Sequence, residues 1–542
     1  MSERLAKSAG TVGLAVMTSR LLGVIRDQVM AGLFGTGMAQ DAFNIASRIP
    51  NLVRDLFAEG AMSAAFVPTF TRHLQLHGKE AAWRLGNLVL NALIVITAVL
   101  VVAGMFLAEP ILLLLPEDFA GPDGAQRLSL TVSLARVIMP FLTLVAVAVA
   151  LGGMLNALRR FFIPALSPAV FNVGVLFSAV AIVPFCDDLG WHPIFGIAVG
   201  TLIGGLGQIL IQIPLLHREG FRYKPILSFR DPGMREILLL MGPGTLGLAA
   251  AQVNLLVNTY LAYGEGEGAV SALSFAFRLM YLPIGLFGVS VATATLPEVA
   301  RHAATGAIGE MRRTLSSSLR MMLMLSVPAT IGLMALSSPI VEFLFERGAF
   351  DSASTRATAL ALLCYAPGLI GYSAVKIASP TFYAMHDART PVLVSLATIV
   401  INVVLNVTLV RVMSFQGLAL GTAIAALFNA GMLLFLLSRR TGGLEGSRVL
   451  QAFVKILVAS IAMGAAALVT EAWLDASLPD MASWVSWMYA DWVFAAARTL
   501  RAGIRVGGAI GVGLLVLGAM SSLLRLHEFT TVLARVMSRV RR

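Results

Sequence analysis

Long apolar segments recur through the whole chain. A run of about 20 apolar residues is long enough to cross the hydrocarbon core of a bilayer as a helix. We predict fourteen such spans, near 9–34, 41–70, 86–108, 128–153, 163–184, 193–216, 237–262, 269–298, 316–338, 356–383, 391–412, 417–438, 450–472 and 502–524. Only 13% of the 542 residues are charged, where a soluble domain carries roughly 25%. The sequence therefore predicts an all-α polytopic membrane protein.

The loops between these spans divide by charge. Most of the 40 Lys and Arg residues fall in loops on one side, such as Arg72, Arg159 and Arg218, while the opposite loops carry mostly Asp and Glu. Lys and Arg are enriched in cytoplasmic loops, so we expect both termini in the cytoplasm. The same rule accounts for the formal net charge of +11, and nucleic acid is not indicated as a partner.

The first six spans and the next six share a weak repeat. Three anchors recur 227 positions later in the chain: Pro140 as Pro367, Ala157 as Ala384, and Pro164 as Pro391. Because six spans separate the copies, both would have the same orientation, related by a pseudo-twofold axis along the membrane normal. We expect an N-terminal six-helix lobe at 1–220, a C-terminal six-helix lobe at 221–440, and a final two-helix region at 441–542.

Several charged residues lie inside the predicted spans. The segment 19–59 contains Arg20, Arg26, Asp27, Asp41, Arg48, Arg54, Asp55 and Glu59. A charge at the bilayer centre costs about 2.5–3.5 kcal/mol on insertion scales, so such residues normally face a partner or a water-filled cavity. Within this segment acids equal arginines in number, but Arg278 and Lys376 have no acid nearby in their own helices. Some positive charge is therefore left for a ligand.

The retained arginines favour an anionic ligand. Arginine stays protonated and binds phosphate or carboxylate oxygens in a bidentate fashion. We predict that Arg20, Arg26 and Arg54 of one lobe and Arg278 of the other bind a multiply charged anion such as a pyrophosphate between the lobes. We expect Asp27, Asp41 and Glu59 to pair with the arginines of the spans and so, together with Lys376, to support that site. The alternative is a set of buried ion pairs that only fix helix packing.

Other chemistry has little support in the sequence. There is no GxxxxGK[ST] phosphate loop, so we predict a transporter rather than an ATP-hydrolysing enzyme. The two cysteines, Cys186 and Cys364, lie far apart in apolar segments, and we predict no metal site and no cofactor. Asn402 and Asn406 are better explained by interhelical hydrogen bonds than by a cation. The aromatic segment 481–498 is typical of an interfacial helix.

Five segments resemble one bacterial family. They are SRLLGVIRD at 19–27, AQDAF at 39–43, IPNLVRDLFAEGAMSAAFVP at 49–68, FRLMYLPIGLFG at 277–288, and VKIASPTFYAMHDARTP at 375–391. Together they are similar to the MurJ (MviN) lipid II flippases, within the multidrug/oligosaccharidyl-lipid/polysaccharide exporter superfamily. The resemblance covers about residues 5–440 well, and the remainder only by hydropathy.

This resemblance implies a fourteen-helix fold in the bacterial inner membrane, whose last two helices form an apolar groove for a polyprenyl tail. The cargo would be lipid II, undecaprenyl-pyrophosphate bearing GlcNAc–MurNAc-pentapeptide, moved to the outer leaflet by alternating access for peptidoglycan synthesis. Membrane lipid and cell-wall synthesis proteins are the further partners it implies. By motif position, the family's essential arginines match Arg20, Arg26, Arg54 and Arg278, and other important positions match Asp41 and Ser271. On this resemblance Ser271 is also expected to contact substrate.

The chain also departs from the family pattern. Phe277 and Tyr281 stand where relatives carry acids beside the second-lobe arginine. Where some relatives bind sodium with aspartates, the corresponding helices here offer Asn254, Asn258, Asn402 and Asn406, so the coupling cation is not predicted. The membrane potential, at ~2.3 kcal/mol per charge per 100 mV, is an adequate alternative drive.

Four other functions stay open at this point. A flippase for another lipid-linked polysaccharide, or a cation or drug antiporter, would share the same superfamily. An antiporter would need an unpaired acid at mid-membrane, where this chain has surplus arginine. A membrane-embedded glycosyl- or acyltransferase would need an acid or histidine constellation that the sequence lacks, and a scaffold would leave the buried charges without a role.

Overall fold

The computed structural model describes residues 2–48, 50–51, 65–113, 122–479, 491–526 and 529. These residues form nineteen helices, α1 to α19, and no β-strand is found among them. The chain packs into two compact units, Met1–Ser271 (unit 1) and Ala272–Arg542 (unit 2). The three-part division at 220 and 440 expected from the sequence stays a prediction.

The described residues of unit 1 form nine complete α-helices and the start of a tenth. They are α1 (Ser2–Phe34), α2 (Met38–Ala46), α3 (Val67–Leu76), α4 (Gly78–Leu112), α5 (Pro122–Ile138), α6 (Phe141–Ala157), α7 (Phe162–Ala181), α8 (Ile194–Arg218), α9 (Pro232–Tyr263) and the first residues of α10 (Ala269–Pro283). Asp231 begins α9 as an N-cap, since its carboxylate accepts a hydrogen bond from the Gly233 amide at 2.9 Å.

Aromatic side chains form one core of unit 1. The Phe70 ring lies 5.4 Å from Phe66 and 5.6 Å from Trp83, and Trp83 contacts Phe221 edge-on at 5.4 Å. Such tilted and edge-on pairs are the favoured geometries of aromatic rings. They pack α3 and α4 against the segment that follows α8.

The described residues of unit 2 form the remainder of α10 and nine further α-helices. A five-residue π-helical turn, Ile284–Gly288, joins α10 to the next helix. The others are α11 (Val289–Ala304), α12 (Ile308–Ala335), α13 (Ser337–Phe345), α14 (Ser352–Tyr365), α15 (Gly368–Ala384), α16 (Arg389–Met413), α17 (Phe415–Thr441), α18 (Gly446–Ser477) and α19 (Asp491–Leu523).

The core of unit 2 includes the last two helices. Ile456 and Met463 of α18 and Leu517 of α19 belong to the same buried cluster as Leu319 of α12 and Leu433 of α17. These side chains are apolar and buried together, so the final pair of helices packs against the other helices of unit 2.

The repeat anchors occupy equivalent positions in the two units. Pro140 precedes α6 and Pro367 precedes α15, each as the N-cap residue of a 17-residue helix. Proline fits this position because its fixed φ and missing amide hydrogen are tolerated at a helix start. The anchors found in the sequence therefore mark the same break between consecutive helices in each unit.

Within the described part of the chain, nine helical segments are long and apolar enough to cross a membrane. A tenth span is obtained if α14 and α15, which meet at 44°, count as one. The all-helical polytopic class is confirmed, and the number fourteen stays a prediction. The interfacial segment predicted at 481–498 lies largely outside the described residues, and its last part belongs to α19.

A ladder of glycines brings α7 and α8 into close contact. A Cβ atom at Gly200 would lie 2.5 Å from the Ser178 Cβ, and one at Gly204 would lie 2.6 Å from the carbonyl oxygen of Phe171. Small residues at such spacing let two backbones approach closely. The sequence pattern Gly196, Gly200 and Gly204 is therefore a helix contact.

We expect Gly204→Ala to lower the apparent unfolding temperature of the detergent-purified protein, because overpacking typically costs about 1–3 kcal/mol. Gly431→Ala in α17 is the matched control, since no atom lies within 4 Å of the added methyl group. Equal thermal unfolding of the two variants would contradict the close contact.

Candidate functional site

Arg26 is held in a fixed position in the last third of α1. Its Nη2 donates to Asp27 Oδ1 at 2.8 Å, its Nε to the same oxygen at 3.2 Å, and its Nη1 to Asn172 Oδ1 at 3.0 Å. The arginine side chain is 24% exposed. Three of its five N–H groups are therefore engaged by described residues, and the guanidinium is oriented before any ligand arrives.

Asn172 of α7 also bonds to the backbone of α1. Its amide nitrogen donates to the Ser19 carbonyl at 3.1 Å, while its amide oxygen accepts from Arg26. A Cβ at Gly23 would lie 3.6 Å from the same amide nitrogen, an ordinary van der Waals distance. Asn172 therefore joins α7 to α1 through both ends of its amide group.

Arg20 lies two turns earlier on α1 and is half-buried. Among the described residues it has no hydrogen-bond or ion-pair partner. Arg54 and Glu59, two further predicted site residues, lie outside the described residues.

Asp41 is the centre of a second, buried cluster in unit 1. Its side chain has no exposed surface. Its carboxylate accepts hydrogen bonds from the Gly268 amide at 2.7 Å, the Ser271 amide at 2.8 Å, the Ser271 hydroxyl at 2.5 Å, and Arg127 Nη2 at 3.1 Å. Four donors compensate for the loss of water around the charge.

Arg127 is the partner that sequence reasoning did not identify. Its side chain is 12% exposed, and its guanidinium lies 3.7 Å from the centroid of the buried Tyr263 ring. We expected Asp41 to pair with the arginines of the spans, whereas it pairs with an arginine near the start of α5. The sequence did contain one indication of this role. Arg127 is a basic residue at the edge of a predicted span, on the side of the membrane where the loops carry mostly acids.

Ser271 was predicted to contact substrate. The structure places it inside the Asp41 cluster, fully buried, where its hydroxyl also accepts a hydrogen bond from Asn44 at 3.2 Å. In this arrangement the Ser271 side chain positions α2 against the start of α10. A contact between Ser271 and substrate stays a prediction.

The cations of unit 2 have a different environment. Arg278 on α10 and Lys376 on α15 both have exposed side chains. Arg136, by contrast, is an exposed residue of α5 that forms an ion pair with Glu109 at 3.3 Å. Long basic side chains commonly extend in this way to a polar environment.

Asn402 and Asn406 form a buried polar pair in unit 2. Asn406 donates to Asn402 at 3.2 Å, and Asn402 donates to Thr422 on the neighbouring helix at 3.5 Å. This is the interhelical bonding favoured from the sequence. Within the described residues, no group of three or more His, Cys, Asp or Glu side chains could hold a metal ion.

Comparison with known proteins identifies the family. The model of the family described as lipid II flippase MurJ matches residues 30–481. The chain belongs to the MurJ family of lipid II flippases. A probable lipid II flippase MurJ of Vibrio cholerae is 32% identical, covering 90% of this chain and 92% of its own. The lipid II flippase MurJ of Burkholderia cenocepacia is also 32% identical, covering 84% and 87%.

Solved structures agree on the fold. A lipid II flippase MurJ in an inward closed conformation matches with a TM-score of 0.74 and 25% identity, covering 94% of this chain and 98% of its own. An inward-facing multidrug resistance MATE transporter matches with a TM-score of 0.66 at 15% identity, covering 79% and 96%. The second likeness concerns the fold alone. The chain is an integral membrane protein with a MurJ-type fold.

We expect Arg127→Leu to lower the stability of the purified protein by about 3–5 kcal/mol, because it leaves the buried Asp41 carboxylate without its countercharge. Arg136→Leu is the matched control on the same helix, since an exposed ion pair contributes about 0–1 kcal/mol. Thermal unfolding in detergent measures both. An equal loss of stability in the two variants would contradict the prediction, because the buried Asp41–Arg127 pair would then contribute no more than an exposed ion pair.

Proposed function

We propose that this protein moves lipid II from the inner to the outer leaflet of the bacterial cytoplasmic membrane. The observation that carries the proposal is the family match across residues 30–481. The arginines retained in apolar helices are consistent with it, because the pyrophosphate of lipid II is a multiply charged anion.

The proposed binding step uses arginines as phosphate ligands. Arg26 is oriented by Asp27 and Asn172, and within the described residues two of its N–H groups have no protein partner. A phosphate oxygen that binds these groups gains a charge-assisted hydrogen bond without first ordering the side chain. Arg20, Arg54 and Arg278 are the other proposed phosphate ligands, and Lys376, Asp27 and Glu59 are proposed to support them.

The Asp41 cluster has a proposed supporting role of a different kind. Its carboxylate bonds to α5 through Arg127 and to the start of α10 through Gly268 and Ser271. We propose that it fixes the helices that carry the ligands, and that alternating access changes this arrangement. A ligand can shift such an equilibrium only by binding one state more tightly than the other.

The chain is proposed to act without ATP hydrolysis or a cofactor of its own, since it has no phosphate-loop motif. The free energy for transport would then come from an ion gradient or from the membrane potential. Both termini are proposed to lie in the cytoplasm, because the loops on that side carry most of the Lys and Arg. Proteins of cell-wall synthesis are the proposed partners beyond lipid II.

We expect Arg26→Ala and Arg278→Ala to abolish lipid II flipping while the protein remains in the membrane. Arg26→Lys should restore only part of the activity, because an ammonium group cannot form the bidentate contact. The measurement replaces the native protein in living cells by each variant and determines how much lipid II lies on each leaflet.

Arg136→Ala is the control for these variants, since it removes an exposed guanidinium from another helix of unit 1 and should flip lipid II normally. Normal flipping by both Arg26→Ala and Arg278→Ala would contradict the proposal that these arginines bind the pyrophosphate. Unchanged lipid II distribution after depletion of the whole protein would remove the proposed function itself.

A further inference from the structure

Four aromatic side chains cluster beside Arg278 in unit 2. Phe277 and Tyr281 lie on α10, Tyr365 ends α14, and Tyr372 lies in α15. The Phe277 ring is at the centre of the cluster. Its centroid lies 5.8 Å from Tyr281, 5.5 Å from Tyr365 and 6.3 Å from Tyr372.

The geometry makes Tyr281 the outer layer of this cluster. Its ring stacks on Phe277 with an interplanar angle of 26°, while Tyr365 and Tyr372 meet Phe277 edge-on at 73° and 85°. Tyr365 is 8% exposed, and Tyr281 is 42% exposed. Tyr281 therefore exposes part of its ring, while the Phe277 ring on which it stacks is held in place by Tyr365 and Tyr372.

The same exposed side carries positive charge. Arg278 precedes Tyr281 by three positions on α10, and Lys376 follows Tyr372 by four positions on α15, so each cation neighbours one of these tyrosines on its helix face. Charged side chains within membrane helices face water-filled cavities or partners rather than lipid chains. This position of the cations indicates that Tyr281 also faces water.

We propose that Tyr281 stacks against the sugar ring bonded directly to the pyrophosphate of the lipid-linked cargo, while Arg278 binds that pyrophosphate. The inference rests on the proposed function and adds a carbohydrate subsite to it. Residues three apart on a helix have Cβ atoms about 5–6 Å apart, which suits a phosphate and the ring attached to it through one oxygen. The flat face of a pyranose carries C–H groups that pack on an aromatic ring, as apolar groups do in ligand sites lined by aromatic side chains.

The test measures binding of three lipids to the full-length protein purified in detergent. Undecaprenyl pyrophosphate supplies the tail and phosphates alone, its MurNAc-pentapeptide derivative adds the first sugar and the peptide, and lipid II adds the second sugar. Tyr281→Leu should weaken binding of the two sugar-bearing lipids by about 3- to 10-fold, the range for one aromatic contact. It should leave undecaprenyl pyrophosphate unchanged.

Companion variants separate stacking from other roles. Tyr281→Phe keeps the ring and should bind all three lipids like the wild type, whereas Tyr281→Gln should repeat the loss seen with leucine. Arg278→Gln should weaken all three lipids by a similar factor. Tyr383→Leu removes another exposed tyrosine, 52% exposed on α15, and should change none of them.

The possible outcomes distinguish the two proposals. If the wild type binds lipid II and Tyr281→Leu binds all three lipids with the same affinities as the wild type, the carbohydrate subsite is overturned. The proposed function is not affected by that result. An equal loss for all three lipids also overturns the subsite, since it would assign Tyr281 to helix packing or to the membrane interface. Failure of the wild type to bind any of the three lipids would count against the proposed function itself.

Discussion

A carboxylate buried among apolar helices imposes strict conditions on everything around it. Asp41 has no exposed surface, and its four hydrogen bonds come from one arginine, two backbone amides and one hydroxyl. Since removing one partner of a buried ion pair costs more than the pair contributes, every donor must be kept in place. The positions of α2, α5 and the start of α10 are thereby linked through one side chain.

The other charged residues of the spans fall into two groups once this cluster is set apart. Arg26 is paired with Asp27 but keeps part of its guanidinium available, and Arg20 has no partner among the described residues. Arg278 and Lys376 have exposed side chains on apolar helices. The fully compensated Asp41 cluster joins helices within unit 1, and the arginines of these two groups are the ones proposed above to bind an anion. Burial and pairing, rather than charge alone, separate the two roles.

The sequence predicted the helices better than it predicted the contacts between them. A span expected at 193–216 is observed as Ile194–Arg218, and one expected at 391–412 as Arg389–Met413, because apolar runs of fixed length are a local property. The pairing of Arg127 with Asp41 joins residues 86 positions apart and depends on the neighbouring Tyr263 ring. No local pattern contains that information, so the sequence placed Arg127 at a loop edge. The contact of Arg26 with Asn172, 146 positions away, was not predicted for the same reason.

The final helices illustrate the same limit. Glu342 lies on α13, and Glu471 and Asp475 lie near the end of α18. In the structure Arg505 of α19, 11% exposed, pairs with Glu342 and Asp475 at 3.2 Å each and with Glu471. Its ion pairs connect α13, α18 and α19, in addition to the apolar contacts of Ile456, Met463 and Leu517. Charge-assisted hydrogen bonds are stronger than neutral ones. The Arg505 network therefore adds to the apolar packing that holds the last two helices against the other helices of unit 2.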